Sequence, residues 1–416
     1  MKKTRTAFVC CLTSLLATMG CAQEQQASAI VVNGDGALSA GLWSGNRLLD
    51  ERGTNLHSAL LLNGGVKLDA QWRLKASVLA ERFPSVRGDQ WQSAQRELSL
   101  QWEGDSSDVK LGTQLFSWGR ADRINPTDNL SARNYTLGLA SDDEQRIGSP
   151  ALSWKQELAG QTRVLAVVQH FRPGVGPNDL NEAALPWAAQ SRNTDVAIKL
   201  DHSGDALDWS LSYFKGSEKS RSLQWLRRAG QIVGVARGFA PMSALGADAA
   251  MTQGAWTLRT EFAALRFASN AHADMGRQDH YFGVLGLERN LPASASFGMQ
   301  YFFRRFEDDT AASFSNPVLQ ARAQRLQVAN NQLHRYQDGL SLRYAQRILN
   351  DQIDYEIVAV VNFKDGDYAL RPRLNWRMND SLKWQVGWDV LHGSTQSFFG
   401  SLKKNTLGFV ECVYVF

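Results

Sequence analysis

Apolar and polar residues alternate singly along most of this chain. Trp72, Leu74, Ala76 and Val78 interleave with Arg73, Lys75, Ser77 and Leu79, and Val109, Leu111, Thr113 and Leu115 interleave with Lys110, Gly112 and Gln114. The same period returns at Leu207, Trp209, Leu211 and Tyr213, at Trp256, Leu258, Thr260 and Phe262, and at Phe297, Met299, Tyr301 and Phe303. It closes with Leu382, Trp384, Val386, Trp388 and Val390. Strict alternation over several residues predicts β-strands with one apolar and one polar face. Beyond the N-terminal leader no run carries a helical period. The Ala-, Gln- and Asn-rich stretch 313–332 reads as a mobile loop holding a single helical turn.

Such strands can close in two ways. A soluble sandwich turns its apolar faces inward, whereas a transmembrane barrel turns them to lipid and lines its lumen with the polar ones. Three features favour the barrel. The alternating runs are about nine to thirteen residues long, enough to cross a bilayer at a tilt. Trp72, Trp102, Trp154, Trp209, Trp256, Trp376, Trp384 and Tyr414 stand at the ends of runs, where interfacial girdles lie. Connections alternate in length. Tight turns near 68–71, 104–107, 159–161, 203–206, 253–255, 290–292, 350–352 and 378–381 fall between longer connections. The longer ones are 45–55, 84–92, 117–146, 172–191, 217–238, 270–278, 308–332 and 393–403, with 364–367 a short member of that side. The expected fold is all-β: a closed antiparallel transmembrane β-barrel of about eighteen strands, with short periplasmic turns and long extracellular loops. Sixteen strands is the alternative, because the first strand, near Gly36, and one inside 228–253 carry the weakest patterns.

The ends of the chain add an address. Lys2, Lys3 and Arg5 precede an apolar run over 7–19 and then small residues, the layout of a secretory signal peptide over 1–22. Cleavage before Gln23 leaves 23–416 as a single barrel domain. The alternative, Cys21 as a lipidated N-terminus, has a poor lead-in at Thr18-Met19-Gly20. Cys10, Cys11 and Cys21 lie in or beside the leader, which leaves Cys412 and neither a disulfide framework nor a cysteine metal site. The formal net charge of +4 becomes +1 without Lys2, Lys3 and Arg5 (4 − 3), so charge makes no case for nucleic acid. No later stretch approaches the roughly eighteen consecutive apolar residues of a membrane helix, so a membrane protein of this sequence has to close a barrel. At the other end Val410, Cys412, Tyr414 and Phe416 alternate apolar, and the chain stops on Phe416. That looks like the terminal strand read by the outer-membrane barrel-assembly machinery of Gram-negative bacteria. The expected place is the outer membrane, integral, with outer-membrane lipid and lipopolysaccharide and that machinery as partners.

One connection stands apart. Residues 115–134, LFSWGRADRINPTDNLSARN, break from a strand at Trp118-Gly119 and then gather Arg120, Arg123, Arg133, Asp122, Asp128 and Asn125-Pro126. In strand order it is the third connection on the long side. Gly119 permits a sharp departure, and Pro126 fixes the backbone with Asn125 extended. Asp122 and Asp128 are spaced to hold Arg120, Arg123 or Arg133 in charge-assisted pairs. Two readings stand: a loop that folds into the barrel and narrows it, within 117–146, or an exposed cap held by its own ion pairs. Positions alternate to the apolar faces include Lys75, Glu97, Arg259, Glu261, Arg304, Arg343, Arg347, Arg371, Arg373 and Arg377. A basic wall in a low-dielectric tube concentrates anions. Alternatively these arginines pair with Asp354, Glu356 and Asp389 and stiffen a wet wall. The seven histidines are scattered without metal-ligand spacing, and there is no Gly-x-Ser-x-Gly elbow, so no metal, cofactor or enzymatic activity is expected.

The segment FSWGRADRINPTDNLSARN resembles the Trp-Gly-x-x-Asp…Asn-Pro-x-Asp segment of a porin-like outer-membrane barrel group related to alginate-export barrels. The stretch 245–263, LGADAAMTQGAWTLRTEFA, is similar to that group's strand-turn-strand with Arg-x-Glu. Matching positions are Trp118, Gly119, Asp122, Asn125, Pro126, Asp128, Arg259 and Glu261, and the two segments cover about a tenth of the chain. The resemblance implies passive transport of a small solute or polymer through the outer membrane. A barrel adhesin or assembly partner is the alternative, and an outer-membrane hydrolase the third choice.

Overall fold

The computed structural model describes residues 30–45, 52–82, 91–137, 144–176, 184–188, 193–268, 277–307 and 315–416. The leader 1–22, with Cys21, and the connection 84–90 lie outside the described residues. The wall begins with β1 (Val31–Gly45), β2 (Arg52–Lys67), β3 (Trp72–Arg82), β4 (Trp91–Glu103) and β5 (Ser107–Gln114). A long connection follows, holding the short pair β6 (Ala132–Arg133) and β7 (Arg146–Ile147). The wall continues with β8 (Ser149–Leu158), β9 (Thr162–His170), β10 (Thr194–His202) and β11 (Asp208–Ser217). A hairpin of β12 (Ser222–Arg228) and β13 (Gln231–Gly238) stands before β14 (Pro241–Gln253), β15 (Trp256–Phe267), β16 (His280–Leu291) and β17 (Ala295–Phe306). Helix α1 (Pro317–Ala329) precedes β18 (Tyr336–Ile348), β19 (Ile353–Asn362), β20 (Tyr368–Arg377) and β21 (Leu382–His392). The short helix α2 (Phe398–Ser401) leads to β22 (Leu407–Val415). Wall strands pair antiparallel with their chain neighbours, and β1 pairs with β22 from Ala37↔Val415 to Trp43↔Phe409, closing an eighteen-stranded barrel. The two weakly patterned strands are both in it, as β1 and β14.

The burial pattern is inverted relative to a water-soluble protein. Leu38, Leu42, Leu62, Val78, Leu98, Leu111, Leu152, Val196, Leu211 and Leu285 are exposed along the outer face. Leu245 is 62% exposed while its neighbour Ala244 is 3% exposed. In water such a band would cost about 25 cal/mol per Å² of apolar surface, whereas against lipid chains that cost vanishes. The inward positions are the polar ones, among them Ser77, Glu81, Glu97, Gln114, Asp195, Asp201, Asp248 and Glu261, all buried. At the seam, Glu411 of β22 accepts from the Trp43 indole at 2.8 Å and meets His57 Nδ1 at 2.5 Å, while Trp43 stacks on Phe409.

Short turns share one rim. Asp69 accepts from the backbone N–H groups of Gln71 and Trp72, and Asn379 from those of Ser381 and Leu382, so the side chain completes each turn. The other rim carries the long connections, and there the structure departs from the loops expected. Within 217–238 lies the β12–β13 hairpin, turned by Ala229-Gly230 with φ of 46° and 79°, the two left-handed positions of a type I′ turn. Within 313–332 lies a 13-residue helix where a mobile loop with one turn was expected. Asn316 caps α1 by accepting from Val318 and Leu319, and Pro317 fits its first turn, where a missing N–H is harmless. Leu223 and Trp225 of the hairpin bury against Ala323 and Leu326 of α1. The Asn330 amide hydrogen-bonds both the N–H and the carbonyl of Leu223 at 2.8 Å. Hairpin and helix thus form a roof with a small core of its own.

Candidate functional site

The connection 115–148 leaves the wall after β5 and turns into the barrel at Gly119. Its φ is +94°, and a Cβ there would stand 2.5 Å from a carboxylate oxygen of Glu261, so the turn requires both a left-handed backbone and a bare one. Glu261, on β15 and 1% exposed, acts as the clamp. It accepts from the backbone N–H of Arg120 and of Ala121 at 2.5 Å, from the Thr127 hydroxyl at 3.0 Å and from Asn125 Nδ2 at 3.2 Å. Asn125-Pro126-Thr127-Asp128 forms a turn closed from the Asp128 N–H to the Asn125 carbonyl, with proline at its second position.

The side chains of this loop reach both walls. Arg120 pairs with Asp201 of β10 at 2.6 Å and with Asp248 of β14. On the opposite wall Arg123 pairs with Glu356 of β19, and Asp122 lies 3.8 Å from Arg343 of β18. The carboxamide of Gln300 on β17, oriented by its partners, brackets the backbone of Asp122, accepting its N–H at 2.7 Å. Arg123 has φ of +64°, and Ile124 N–H bonds back to the Asp122 carbonyl at 2.7 Å, a tight reversal that projects Arg123 across the lumen. Beneath the loop, Trp118, Ala121 and Leu130 are buried against Ala151, Val167, Ala197, Phe214, Ala244 and Ala263. The alanines make room there for a chain segment inside the barrel.

The expectation that Asp122 and Asp128 hold Arg120, Arg123 or Arg133 is corrected. Arg120 and Arg123 take wall carboxylates instead, and Asp128 takes Arg146 at 2.7 Å. Arg133 faces Arg146 across the β6–β7 rung, on the same side of the loop as Asp128. An extended, inward-turned loop separates its own near neighbours, while the wall offers carboxylates already fixed and desolvated. Partial desolvation inside the lumen pushes the Asp122 carboxyl above its ordinary range, against the pull of Arg123 and Arg343. It does the same to Asp128, against Arg146.

The arginines expected on the wall line the lumen, and they meet acids. Arg259 pairs with Glu288 at 2.5 Å, and Arg343 with Glu356 at 2.6 Å. Arg347 and Arg377 share Asp354 at 3.4 and 3.1 Å. Arg371 meets Asp389 at 2.8 Å, and Arg373 meets the same carboxylate. Pro372 lies between those two and has no N–H for the ladder, so the carbonyl of Trp388 is taken by the Arg373 guanidinium at 2.5 Å. The pairing with Asp354, Glu356 and Asp389 is therefore present. Arg304 differs: it lies over the Phe282 ring at 4.2 Å and makes no hydrogen bond or ion pair among the described residues. Sequence reasoning missed Asp201, Asp248, Glu288 and Gln300. Gln300 shares the inward phase of Arg304 on β17, and Asp201 alternates with Ile198 and Leu200 on β10, so both carried a signal, whereas Asp248 lies on the weakly patterned β14.

Between loop and roof lies a cavity of about 760 Å³, whose lining includes Arg123, Pro126, Arg304, Arg371, Asp389 and Phe399.

No family model and no curated protein matches this sequence. Solved structures do resemble it. The outer membrane protein opdK from Pseudomonas aeruginosa superposes with a TM-score of 0.59 at 10% identity, over 93% of this chain and 98% of that one. OccAB2 of Acinetobacter baumannii gives a TM-score of 0.56 at 8% identity, over 92% and 98%. OccK8 (OprE) of Pseudomonas aeruginosa gives 0.55 at 9%, over 92% and 97%. The likeness is one of fold: an eighteen-stranded barrel shared with outer-membrane proteins.

Proposed function

We propose that this chain is an outer-membrane channel for small solutes, with 117–146 as its constriction and a preference for anions. The observation that carries the reading is the loop's double anchorage. It is held to β10, β14 and β15 by Arg120 and Glu261 and reaches β18 and β19 through Asp122 and Arg123, which leaves a lumen narrowed by charged groups. A resident segment with most of its donors satisfied by the wall is a selectivity element rather than a surface cap. Anion preference is supported at the short-turn rim, where Arg347 and Arg377 share Asp354 and Lys383 sits directly opposite Arg377. That cluster carries more positive than negative charge on exposed side chains. A relation to alginate-export barrels would favour a polymer instead. The narrowing by loop and roof supports small solutes.

Planar-bilayer recording of the refolded protein tests this. The expected result is discrete single-channel current, larger when 122–133 is deleted, with an anion-selective reversal potential in a salt gradient. Absence of current from both proteins would remove the channel reading, and cation selectivity would remove the anion preference. A second reading, a barrel adhesin, draws on the folded roof. Cell binding lost on removal of 222–238, with ion current kept, would support it.

A further inference from the structure

The roof joins the wall at an ionic hub. Arg277, just before β16, donates from Nε to Glu218 at 2.5 Å and from Nη1 to the carbonyl of Asn330. Glu218 stands at the foot of the β12–β13 hairpin, and Asn330 ends α1 and clamps Leu223. One guanidinium therefore grips both halves of the roof. Arg304 lines the same cavity as Arg277 and Glu218. Two arginines and one carboxylate thus face one cavity, and the second arginine, set against Phe282, has no hydrogen-bond acceptor among the described residues. A guanidinium that lines an open cavity without a protein acceptor offers its N–H groups to an arriving anion, and a charge-assisted bond to a carboxylate is stronger than a neutral one.

We propose that Glu218 is the resting occupant of an anion seat formed by Arg277 and Arg304, and that a carboxylate-bearing solute entering the cavity displaces it and loosens the roof. The proposal rests on the reading of the chain as a channel for anionic solutes. Exchange of one carboxylate for another conserves the ion pair with Arg277. The incoming group adds acceptors for Arg304, whereas Glu218 is tied to the hairpin foot. Once Glu218 is released, the Asn330–Leu223 clamp still joins hairpin to helix, but the hairpin loses its grip on Arg277. Gln332, accepting from the Gln278 N–H at 2.9 Å, keeps the end of α1 in place as a hinge. An internal carboxylate in the seat makes opening depend on solute charge rather than on solute size.

Propionate and its uncharged analogue propionamide are the probes, applied to the full-length protein in planar bilayers. In the unmodified channel, propionate on the long-loop side should shorten or abolish brief closures, and propionamide at equal concentration should not. Glu218→Gln, which keeps the shape and removes the charge, should lack those closures without any probe and lose the propionate response. Arg304→Gln should lose the propionate response while its closures persist. Heat-modifiable migration in detergent gels checks that each variant has closed its barrel. Equal effects of propionate and propionamide, or an Arg304→Gln channel that answers propionate as the unmodified one does, would overturn the latch. An unmodified protein that passes no ions at all defeats the channel reading itself, and the latch with it, which separates the two failures.

Discussion

On the β10–β15 side of the lumen, Arg120 meets Asp201 and Asp248 with 17% of its side chain exposed. On the β18–β20 side, Arg347 meets Asp354 with 63% exposed. The residue types are the same, and the physics is not. On the first wall small inward residues, Ala197, Ala244 and Ala263, stand among the charged ones and admit a loop that covers them from water. Charges there sit in a low dielectric and position chain. On the second wall Asp389 with Arg371 and Arg373 is buried like the first wall's pairs. The pairs that Arg347 and Arg377 make with Asp354 face the open lumen, where water screens them. Charges there are free to meet a passing solute. One barrel therefore uses arginine–aspartate pairs for architecture on one side and for electrostatics on the other, and burial is what divides the two.

The largest test of that division compares alanine substitutions. Arg120→Ala leaves Asp201 with Arg163 at 2.5 Å and buried Asp248 with Lys199 at 3.7 Å, and by removing the cation that holds the loop to both should destabilise it by about 2 kcal/mol, whereas Arg347→Ala should cost about 0–1 kcal/mol. Guanidinium unfolding in lipid, with trypsin cleavage after Arg123 as a local probe, reads both. Similar losses at the two sites would dissolve the distinction. Glu261→Leu belongs with the first group, since it orphans the N–H groups of Arg120 and Ala121 at about 1–3 kcal/mol each.

Much of the barrel was readable in advance because the two-residue period is a local property of each strand. Leu245, Ala247 and Ala249 point one way and Gly246, Asp248 and Ala250 the other, whatever their neighbours do. The partners of Arg120 and Arg123 were not readable this way. Asp248 and Glu356 are 128 and 233 positions distant, and only strand register brings them to the loop. Proximity in sequence pointed to Asp122 and Asp128, which an inward-turned backbone carries elsewhere. Helix α1 had its Asn316-Pro317 start in plain view. Its apolar stripe is too thin to declare itself until Leu223 and Trp225 of the hairpin cover it.

An intermediate effect is expected from charge reversal on the exposed wall. Arg347→Glu with Arg377→Glu takes the cluster with Asp354 from +1 (2 − 1) to −3, and should move the reversal potential toward cations by roughly a several-fold change in permeability ratio. Barrel stability should hardly change. A reversal potential that stays in place would mean that this wall does not set selectivity.

The smallest effect concerns pH. Partial desolvation inside the lumen raises the Asp122 carboxyl, so it takes up a proton earlier than an ordinary carboxylate as pH falls. That removes a negative charge beside Arg123 and Arg343 and should raise anion preference on the acid side, with conductance at neutral pH as the reference. Asp122→Asn should show the acid-side preference already at neutral pH and lose this part of the pH dependence. An unchanged pH profile in that variant would place the titration elsewhere.

Residue order alone specifies about eighteen membrane-length strands, which face lies outward, and one connection built unlike the rest. Those follow from side chains alternating across a strand and from Gly119 and Pro126 acting on their own backbone. Folding in three dimensions is what turns the loop inward onto Glu261, gives its Arg120 and Arg123 to the walls, and joins hairpin and helix into a roof. Each of those depends on groups far apart in the chain meeting where water is scarce, and closure of the barrel is what brings them there.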